Sequence, residues 1–279
     1  MNVHSALALS LWARAPGISE LEPSSGRFSA TLVALAMAQA RCVPSRAAFS
    51  SATIQKRARV SSPARRTAVA MAAGSSPPHK AVPRLDLERA TVFVCDVQEK
   101  FAPVIHGFDN CVYVASAMLR AGALLGIPTL VTEQVPDKLG KTVEALQPLI
   151  TARDDVHVVG KTKFSMSTEG ASAFFDAARD GKKDQAILVG LEAHVCVAQT
   201  AFDLIEDGWE VFVCVDGVSS VRVGDRAAAL RRMESAGCVL TTGEALLFEL
   251  IGDAAHPVFR DISKLVREPR PEVALPPIS

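Results

Sequence analysis

Short runs of apolar residues alternate with longer amphipathic stretches from Pro83 onward. The runs are three to six residues long and apolar almost throughout, without the polar alternation of a half-exposed strand. Such runs are typical of strands that are buried on both faces of a sheet. We therefore predict six strands, at residues 91–95, 127–131, 156–159, 186–189, 210–215 and 238–240.

The stretches between these runs repeat their apolar residues with helical spacing. They predict helices at residues 113–125, 142–150, 172–178, 195–207, 226–236, 243–251 and 257–266. Regular alternation of strand and helix is the signature of a parallel sheet that is covered by helices on both faces. The predicted fold is one α/β domain over residues 84–268, a three-layer α/β/α, Rossmann-like, doubly wound sheet of six mostly parallel strands. Residues 269–279 are predicted to be a C-terminal tail.

Three chemically useful side chains follow three of the predicted strands. Asp96 ends the first strand, Lys161 follows the third, and Cys196 lies where the fourth strand leads into a helix. Doubly wound sheets bind their ligands at the carboxyl ends of the strands, near the point where the strand order reverses. The sequence thus predicts a carboxylate, an ammonium and a thiol at one rim.

This set has the parts that nucleophilic catalysis by cysteine requires. A thiol at the start of a helix ionises more easily, and Asp96 can take its proton while Lys161 orients Asp96 and stabilises the thiolate. Each residue by itself has an ordinary interpretation, as a turn carboxylate, a loop charge and a buried core thiol. His194 also lies close to Cys196 in sequence, but residues in a helix point about 100° apart from one to the next. Asp96 is therefore the favoured base.

Charge divides the chain into two unlike parts. Residues 1–80 carry ten Lys and Arg residues against two Glu residues, for a net charge of +8, so residues 81–279 carry −8. The basic part is rich in Ala, Ser and Arg, which is the composition of an organelle-targeting presequence. We expect a disordered targeting presequence over residues 1–80 and a plastid location, with the mitochondrion as the alternative. The acidic part argues against nucleic acid and against a membrane as partners of the mature form.

Cysteine and histidine spacing does not suggest a metal site. The six cysteines form no C-x-x-C pair, and the six histidines are scattered without ligand spacing. We predict no metal and no cofactor. Cys95, Cys214 and Cys238 lie in or beside apolar runs and are predicted to be strand core, which fits a reducing compartment.

Three motifs together resemble the isochorismatase-like cysteine hydrolases. They are residues 94–101 (VCDVQEKF), 161–166 (KTKFSM) and 190–196 (GLEAHVC). The resemblance extends over residues 88–266. Eukaryotic isochorismatase domain-containing proteins are the most similar branch, because residues 131–134 and 216–222 also resemble theirs.

The resemblance implies a catalytic triad of Asp96, Lys161 and Cys196. It favours Lys161 over Lys163, because the family's lysine lies three residues before the aromatic residue that precedes a serine. It also implies a cis peptide bond between Leu191 and Glu192 and an oxyanion hole formed by the N–H groups of Glu192 and Cys196. Three further residues are expected to bind substrate, although a core role is an equally good interpretation of the two aromatic ones: Phe101, Gln134 and Phe164.

Metal-dependent nicotinamidases of this fold carry a histidine-containing metal motif after the second strand, whereas residues 132–137 here contain no histidine. The resemblance therefore implies a metal-free hydrolase of a small molecule, with an amide C–N bond as the expected target and a thioester intermediate. A homo-oligomer is expected. The alternative is a non-enzymatic interaction protein or redox-sensing protein that retains the fold.

Overall fold

The structure is a computed structural model that describes residues 82–271. The predicted presequence lies outside the described residues, as does the end of the predicted tail. A six-stranded sheet forms the centre of this domain, and every neighbouring pair of strands is parallel. The strands are β1 (Ala90–Cys95), β2 (Thr129–Gln134), β3 (Val156–Lys161), β4 (Gln185–Leu191), β5 (Glu210–Ser219) and β6 (Val239–Thr241).

Helices follow the strands in the order that the alternating pattern predicts. They are α1 (Phe108–Leu125), α2 (Pro136–Leu139), α3 (Gln147–Thr151), α4 (Ser172–Asp180), α5 (Ala198–Glu206), α6 (Val223–Ala236), α7 (Gly243–Ile251) and α8 (Phe259–Val266). A π-helical turn (Ala193–Val197) precedes α5, and short 3-10 turns cover Glu99–Phe101 and Glu169–Ala171.

The helices bury both faces of the sheet, which confirms the predicted three-layer fold. Val92 and Val94 point from β1 into an apolar cluster with α1, α7 and α8. Phe93 and Cys95 alternate with them and point into a second cluster, with α4, α5 and α6. The interior of the sheet is therefore covered on both sides, as its continuous apolar runs require.

The strand order is β3-β2-β1-β4-β5-β6. Strands β2 and β3 are added in turn on one side of β1. The chain then crosses to the other side of β1, where β4, β5 and β6 follow in order. The order thus reverses between β1 and β4, which is where such sheets bind ligands. The predicted sites at Asp96 and Cys196 follow these two strands.

Several predicted boundaries differ from the structure. Helix α1 begins at Phe108, five residues earlier than predicted, and β2 begins at Thr129 rather than at residue 127. Ile127 instead closes the end of α1, because its N–H donates to the carbonyl oxygen of Gly122 at 3.0 Å. This is the bonding of a helix C-terminus and not of a strand.

Two predictions failed for reasons of tertiary structure. The helix predicted at 142–150 is reduced to α3, because Thr142 forms an antiparallel bridge with Gln98. Strand β3 is not buried on both faces, since it lies at the edge of the sheet and Val158 is 47% exposed. A run of apolar residues does not distinguish an edge strand from a central one.

Candidate active site

Asp96 is fully buried at the carboxyl end of β1. Its backbone has φ of 51°, a left-handed conformation that aspartate tolerates better than most residues. This conformation ends the strand and turns the chain, with the Gln98 N–H donating to the Asp96 carbonyl oxygen at 2.9 Å. The neighbouring strand fixes the carboxylate, because the Thr132 hydroxyl donates to Oδ1 at 2.8 Å.

Lys161 is the last residue of β3, and its ammonium makes three short contacts. Nζ lies 2.7 Å from Asp96 Oδ2, 2.7 Å from Gln134 Oε1 and 2.9 Å from the Phe164 carbonyl oxygen. Burial works against the charged form, but the attraction of Cys95, Asp96 and Cys196 outweighs it and raises the pKa of Lys161. Lys161 is therefore a buried cation with its three N–H donors directed at fixed acceptors.

Lys163 points to a different part of the molecule. Its Nζ pairs with Asp203 Oδ2 at 2.8 Å and with the Ser167 carbonyl oxygen at 2.9 Å, and the side chain is about half exposed. Of the two lysines in this motif, Lys161 is thus the one that contacts Asp96.

Cys196 lies in the π-helical turn that joins β4 to α5 and is 5% exposed. The turn is closed by the carbonyl oxygen of Glu192, which accepts from the N–H groups of Val195 at 3.0 Å and Val197 at 3.2 Å. The sequence predicted one continuous helix from residue 195. The structure instead has this π-helical turn over Ala193–Val197, and α5 begins at Ala198.

Thr200 connects this turn to the loop after β3. Its hydroxyl donates to the Cys196 carbonyl oxygen at 2.7 Å and accepts from the Met166 N–H at 2.9 Å. The segment that follows Lys161 and the segment that carries Cys196 are therefore held together by one buried side chain.

Gly190 brings the ends of β1 and β4 together. It has φ of 117°, and a Cβ atom at this position would lie 2.0 Å from the Cys95 carbonyl oxygen. Only glycine permits this approach. The peptide bond between Leu191 and Glu192 is cis, as the family resemblance implied. The Glu192 carboxylate accepts from the Val221 N–H at 2.9 Å, which links this turn to the end of β5.

Two residues of the site were not recognised in the sequence. Cys95, predicted to be strand core, lies in the site, and its thiol donates from Sγ to Asp96 Oδ2 at 3.6 Å. Thr132, which fixes Asp96, is paired with Cys95 across β1 and β2. Cys95 is the neighbour of Asp96 in the sequence, and this could have indicated that it belongs to the site. The contact of Thr132 with Asp96 could not have been found in this way, because it depends on strand order and register.

The other predicted site residues occupy different surroundings. The side-chain amide of Gln134 is hydrogen-bonded to other protein groups: Oε1 accepts from Lys161, and Nε2 donates to the Thr162 carbonyl oxygen at 2.9 Å. Phe101 is partly buried against the cluster around α1, whereas Phe164 is 49% exposed. Contact of these three residues with substrate stays a prediction.

His194 is directed to the segment after β5. Its Nδ1 lies 3.0 Å from the Ser220 hydroxyl, and its Nε2 lies 4.0 Å from an Asp225 oxygen. Among the residues that the structure describes, no hydrogen bond or ion pair joins His194 to Asp96 or Lys161.

Within residues 82–271, no group of three or more His, Cys, Asp or Glu side chains is placed to hold a metal ion. None of the helices in this range has the length and apolar character needed to cross a bilayer.

Asp96 and Cys196 follow the two strands at the switch point of this parallel sheet, and Lys161 reaches Asp96 from the edge strand β3. This fold defines the class of doubly wound α/β proteins, and sequence comparison identifies the family. The Isochorismatase domain matches residues 90–245, more than half of the chain, and the chain belongs to this family.

The relatives include isochorismatase domain-containing protein 2 of Danio rerio. It is 41% identical over 192 residues, which cover 69% of this chain and 94% of that protein. Isochorismatase domain-containing protein 2A of Mus musculus is 40% identical over 190 residues, covering 67% and 87% of the two chains.

Among solved structures, the MAR1 ribonuclease from Caenorhabditis elegans is similar. It is 41% identical with a TM-score of 0.64, covering 71% of this chain and 99% of that one. The YcaC gene product of Escherichia coli, described as an octameric hydrolase of unknown specificity, shares the fold at 24% identity and a TM-score of 0.55, covering 67% and 96%.

Proposed function

We propose that the protein is a metal-free cysteine hydrolase that cleaves an amide C–N bond of a small molecule. The observation that carries the proposal is the buried ion pair of Lys161 and Asp96, 2.7 Å between Nζ and Oδ2, beside the thiol of Cys196. A buried ion pair is a poor source of stability. Its position at the switch point of the sheet, next to a thiol, supports a catalytic role.

The proposed reaction assigns one role to each residue. Asp96 takes the proton of Cys196, and the thiolate attacks the amide carbon to form a C–S bond. The N–H groups of Glu192 and Cys196 stabilise the resulting oxyanion. Asp96 returns the proton to the departing amine as the C–N bond breaks, and water then hydrolyses the thioester to a carboxylic acid and the free thiol.

Lys161 favours the ionised form of Asp96 before the reaction and holds the carboxyl group in place through the cycle. When Asp96 is protonated, the ammonium remains close to the new thiolate and supplies the compensating charge. Phe101, Gln134 and Phe164 are proposed to contact the substrate. We also propose that the protein acts as a homo-oligomer.

The test is to trap the intermediate. The full-length protein is mixed with a panel of small amides, quenched in acid within seconds and digested for mass spectrometry. We expect an acyl adduct on the peptide that contains Cys196. Cys196→Ala should show no adduct and lose at least about 10³-fold in turnover, whereas Cys214→Ala, a buried thiol of β5, should retain both.

Three results would contradict the proposal. Turnover of an amide that survives Cys196→Ala would remove the nucleophile from the mechanism. Cleavage of RNA that depends on Cys196 would instead assign the activity named for the C. elegans structure, although the net charge of −8 over residues 81–279 repels phosphate. Modification of Cys196 by peroxide, with no turnover of any substrate, would favour the redox-sensing alternative.

A further inference from the structure

Thr200 bonds two segments of the site that are distant along the chain. Its side chain is fully buried in the first turn of α5. The hydroxyl donates to the Cys196 carbonyl oxygen at 2.7 Å, and its oxygen accepts from the Met166 N–H at 2.9 Å. A hydroxyl can donate one hydrogen bond and accept others, so both of its functions are used here. The residue that carries the proposed nucleophile is thus bonded, through one side chain, to the loop after β3.

The same loop supplies an acceptor to Lys161. The ammonium donates to the Phe164 carbonyl oxygen at 2.9 Å, and Phe164 precedes Met166 by two residues. The loop turns tightly at this point, because the Ser167 N–H donates to the Ser165 hydroxyl at 3.1 Å. This short segment therefore contacts the ammonium at its start and the helix of the nucleophile at its end.

The two bonds of Thr200 differ in what they imply. A threonine hydroxyl in a helix often donates to the carbonyl oxygen four residues earlier, so the bond to Cys196 alone has an ordinary structural interpretation. The bond from Met166 joins residues 34 positions apart, and Met166 is fully buried. Without the hydroxyl, this buried N–H loses its acceptor, and a buried polar group without a partner is costly. The loop and the helix would then settle in a different relative position.

We propose that Thr200 is a positioning residue that fixes Cys196 relative to the Lys161–Asp96 pair, so that the carboxylate can take the thiol proton. The proposal rests on the proposed function of Cys196 as nucleophile. Proton transfer requires that donor and acceptor lie within hydrogen-bond reach, and displacements of about 1 Å can lower a rate strongly. A single hydroxyl that bonds both segments keeps the thiol and the pair in register.

Four variants separate the hydroxyl from the rest of the side chain. Thr200→Val keeps the branched shape and removes both hydrogen bonds, whereas Thr200→Ser keeps the hydroxyl and removes only a methyl group. Thr200→Ala removes the hydroxyl with a residue that every helix accepts. Thr129→Val is the matched control: Thr129 is also fully buried, but it begins β2, at the opposite end of that strand from the site, and its hydroxyl donates to the Ile127 carbonyl oxygen at 3.5 Å.

The experiment measures the rate of Cys196 alkylation by iodoacetamide between about pH 5 and pH 9 in the full-length protein, read on the Cys196 peptide by mass spectrometry. The pH of the half-maximal rate reports how strongly neighbouring charges favour the thiolate, and a loss of stability alone does not change it. We expect this pH to rise by about one unit in Thr200→Val and in Thr200→Ala. It should stay within about 0.3 unit of the wild type in Thr200→Ser and in Thr129→Val.

The outcomes separate this inference from the proposed function. If the half-maximal pH is the same in the folded wild type and in urea, the proposed activation of Cys196 is wrong, and this inference fails with it. If it is lower in the folded wild type but unchanged in Thr200→Val and Thr200→Ala, only the role of Thr200 is overturned. An equal rise in Thr200→Ser would also contradict that role, since the hydroxyl is then not the cause. Urea unfolding of each variant shows that the comparison is made between folded proteins.

Discussion

At the scale of single residues, the site depends on a small set of buried polar groups that form hydrogen bonds with one another. Lys161 donates to Asp96, Gln134 and the Phe164 carbonyl oxygen, while Thr132 donates to the second oxygen of Asp96. A buried charge that loses its partner is costly, because no water replaces the lost contact. The same contacts that position the proposed base therefore also determine the stability of the sheet at this rim.

This coupling makes the two lysines distinguishable by experiment. Lys161→Met should lower turnover at least about a hundredfold, because Asp96 loses the charge that orients it. It should also lower the free energy of unfolding by about 3 kcal/mol, since Asp96 is left buried and unpaired. Lys163→Met removes only an exposed pair with Asp203 and should change the free energy of unfolding by less than about 1 kcal/mol. Steady-state kinetics and urea unfolding measure both quantities.

The double variant Lys161→Met/Asp96→Asn is the control for this experiment. Removing both charges should restore part of the stability but none of the activity. If Lys163→Met instead showed the larger loss of turnover, the role would belong to Lys163.

At the scale of elements, the ends of helices and strands are held by side chains from neighbouring segments. Arg153, between α3 and β3, donates to the carbonyl oxygen of Leu119, within α1, at 2.9 Å and to that of Ile127, in the link to β2, at 2.7 Å. Its guanidinium also forms a two-point pair with Asp155, at 2.9 and 2.6 Å. The pair keeps the guanidinium in the orientation that connects α1 with the link to β2.

The pair of Arg153 and Asp155 predicts that the stability of the protein depends on pH. The hydrogen bonds from Arg153 lower the pKa of Asp155 below its ordinary value of 3.8. A lowered pKa means that the ionised form stabilises the fold above pH 3.8, and that this contribution is lost as the pH falls through the lowered value. Asp155→Asn should therefore cost about 0.5–1 kcal/mol at pH 7, a small value because the Asp155 side chain is 45% exposed.

Urea unfolding at pH 7 and at pH 3 tests this expectation. The difference in free energy of unfolding between the wild type and Asp155→Asn should be smaller at pH 3 than at pH 7. Asp176→Asn is the control, since its pair with Arg179 lies on an exposed helix surface at 3.2 Å and should contribute nothing measurable. A difference for Asp155→Asn that is the same at both pH values would show that its charge is not the cause.

At the scale of the whole molecule, the chain combines an acidic domain with a basic N-terminal segment. The segment holds ten Lys and Arg residues against two acids, and the family match begins only at residue 90. We propose that residues 1–80 are a targeting presequence, that the protein is imported into the plastid, and that the mitochondrion is the alternative destination.

Processing and import are tested on the full chain. The protein isolated from cells should begin between about residues 70 and 80, where the presequence-like composition ends. Replacing Arg57, Arg59, Arg65 and Arg66 with Gln should leave a fluorescent fusion in the cytosol. A mature protein that still begins at Met1, together with unchanged location of the arginine variant, would contradict the proposal.

Much of the fold was predictable because it depends on local patterns. Six apolar runs predicted six strands, and residues 243–251 were predicted as a helix with the bounds of α7. Asp96, Lys161 and Cys196 could be placed at one rim, since carboxyl ends of parallel strands share an edge whatever the strand order.

The tertiary structure decided what periodicity does not encode. The strand order made β3 an edge strand and left Val158 half exposed. The bridge between Gln98 and Thr142 replaced a helix start, because a long-range contact outweighed local propensity. The register of β1 against β2 and β4 brought Thr132 to the end of β1, where it contacts Asp96, and Gly190 to Cys95. The sequence by itself thus determined which groups are available for chemistry, and the packing of strands that are distant along the chain determined which of them touch.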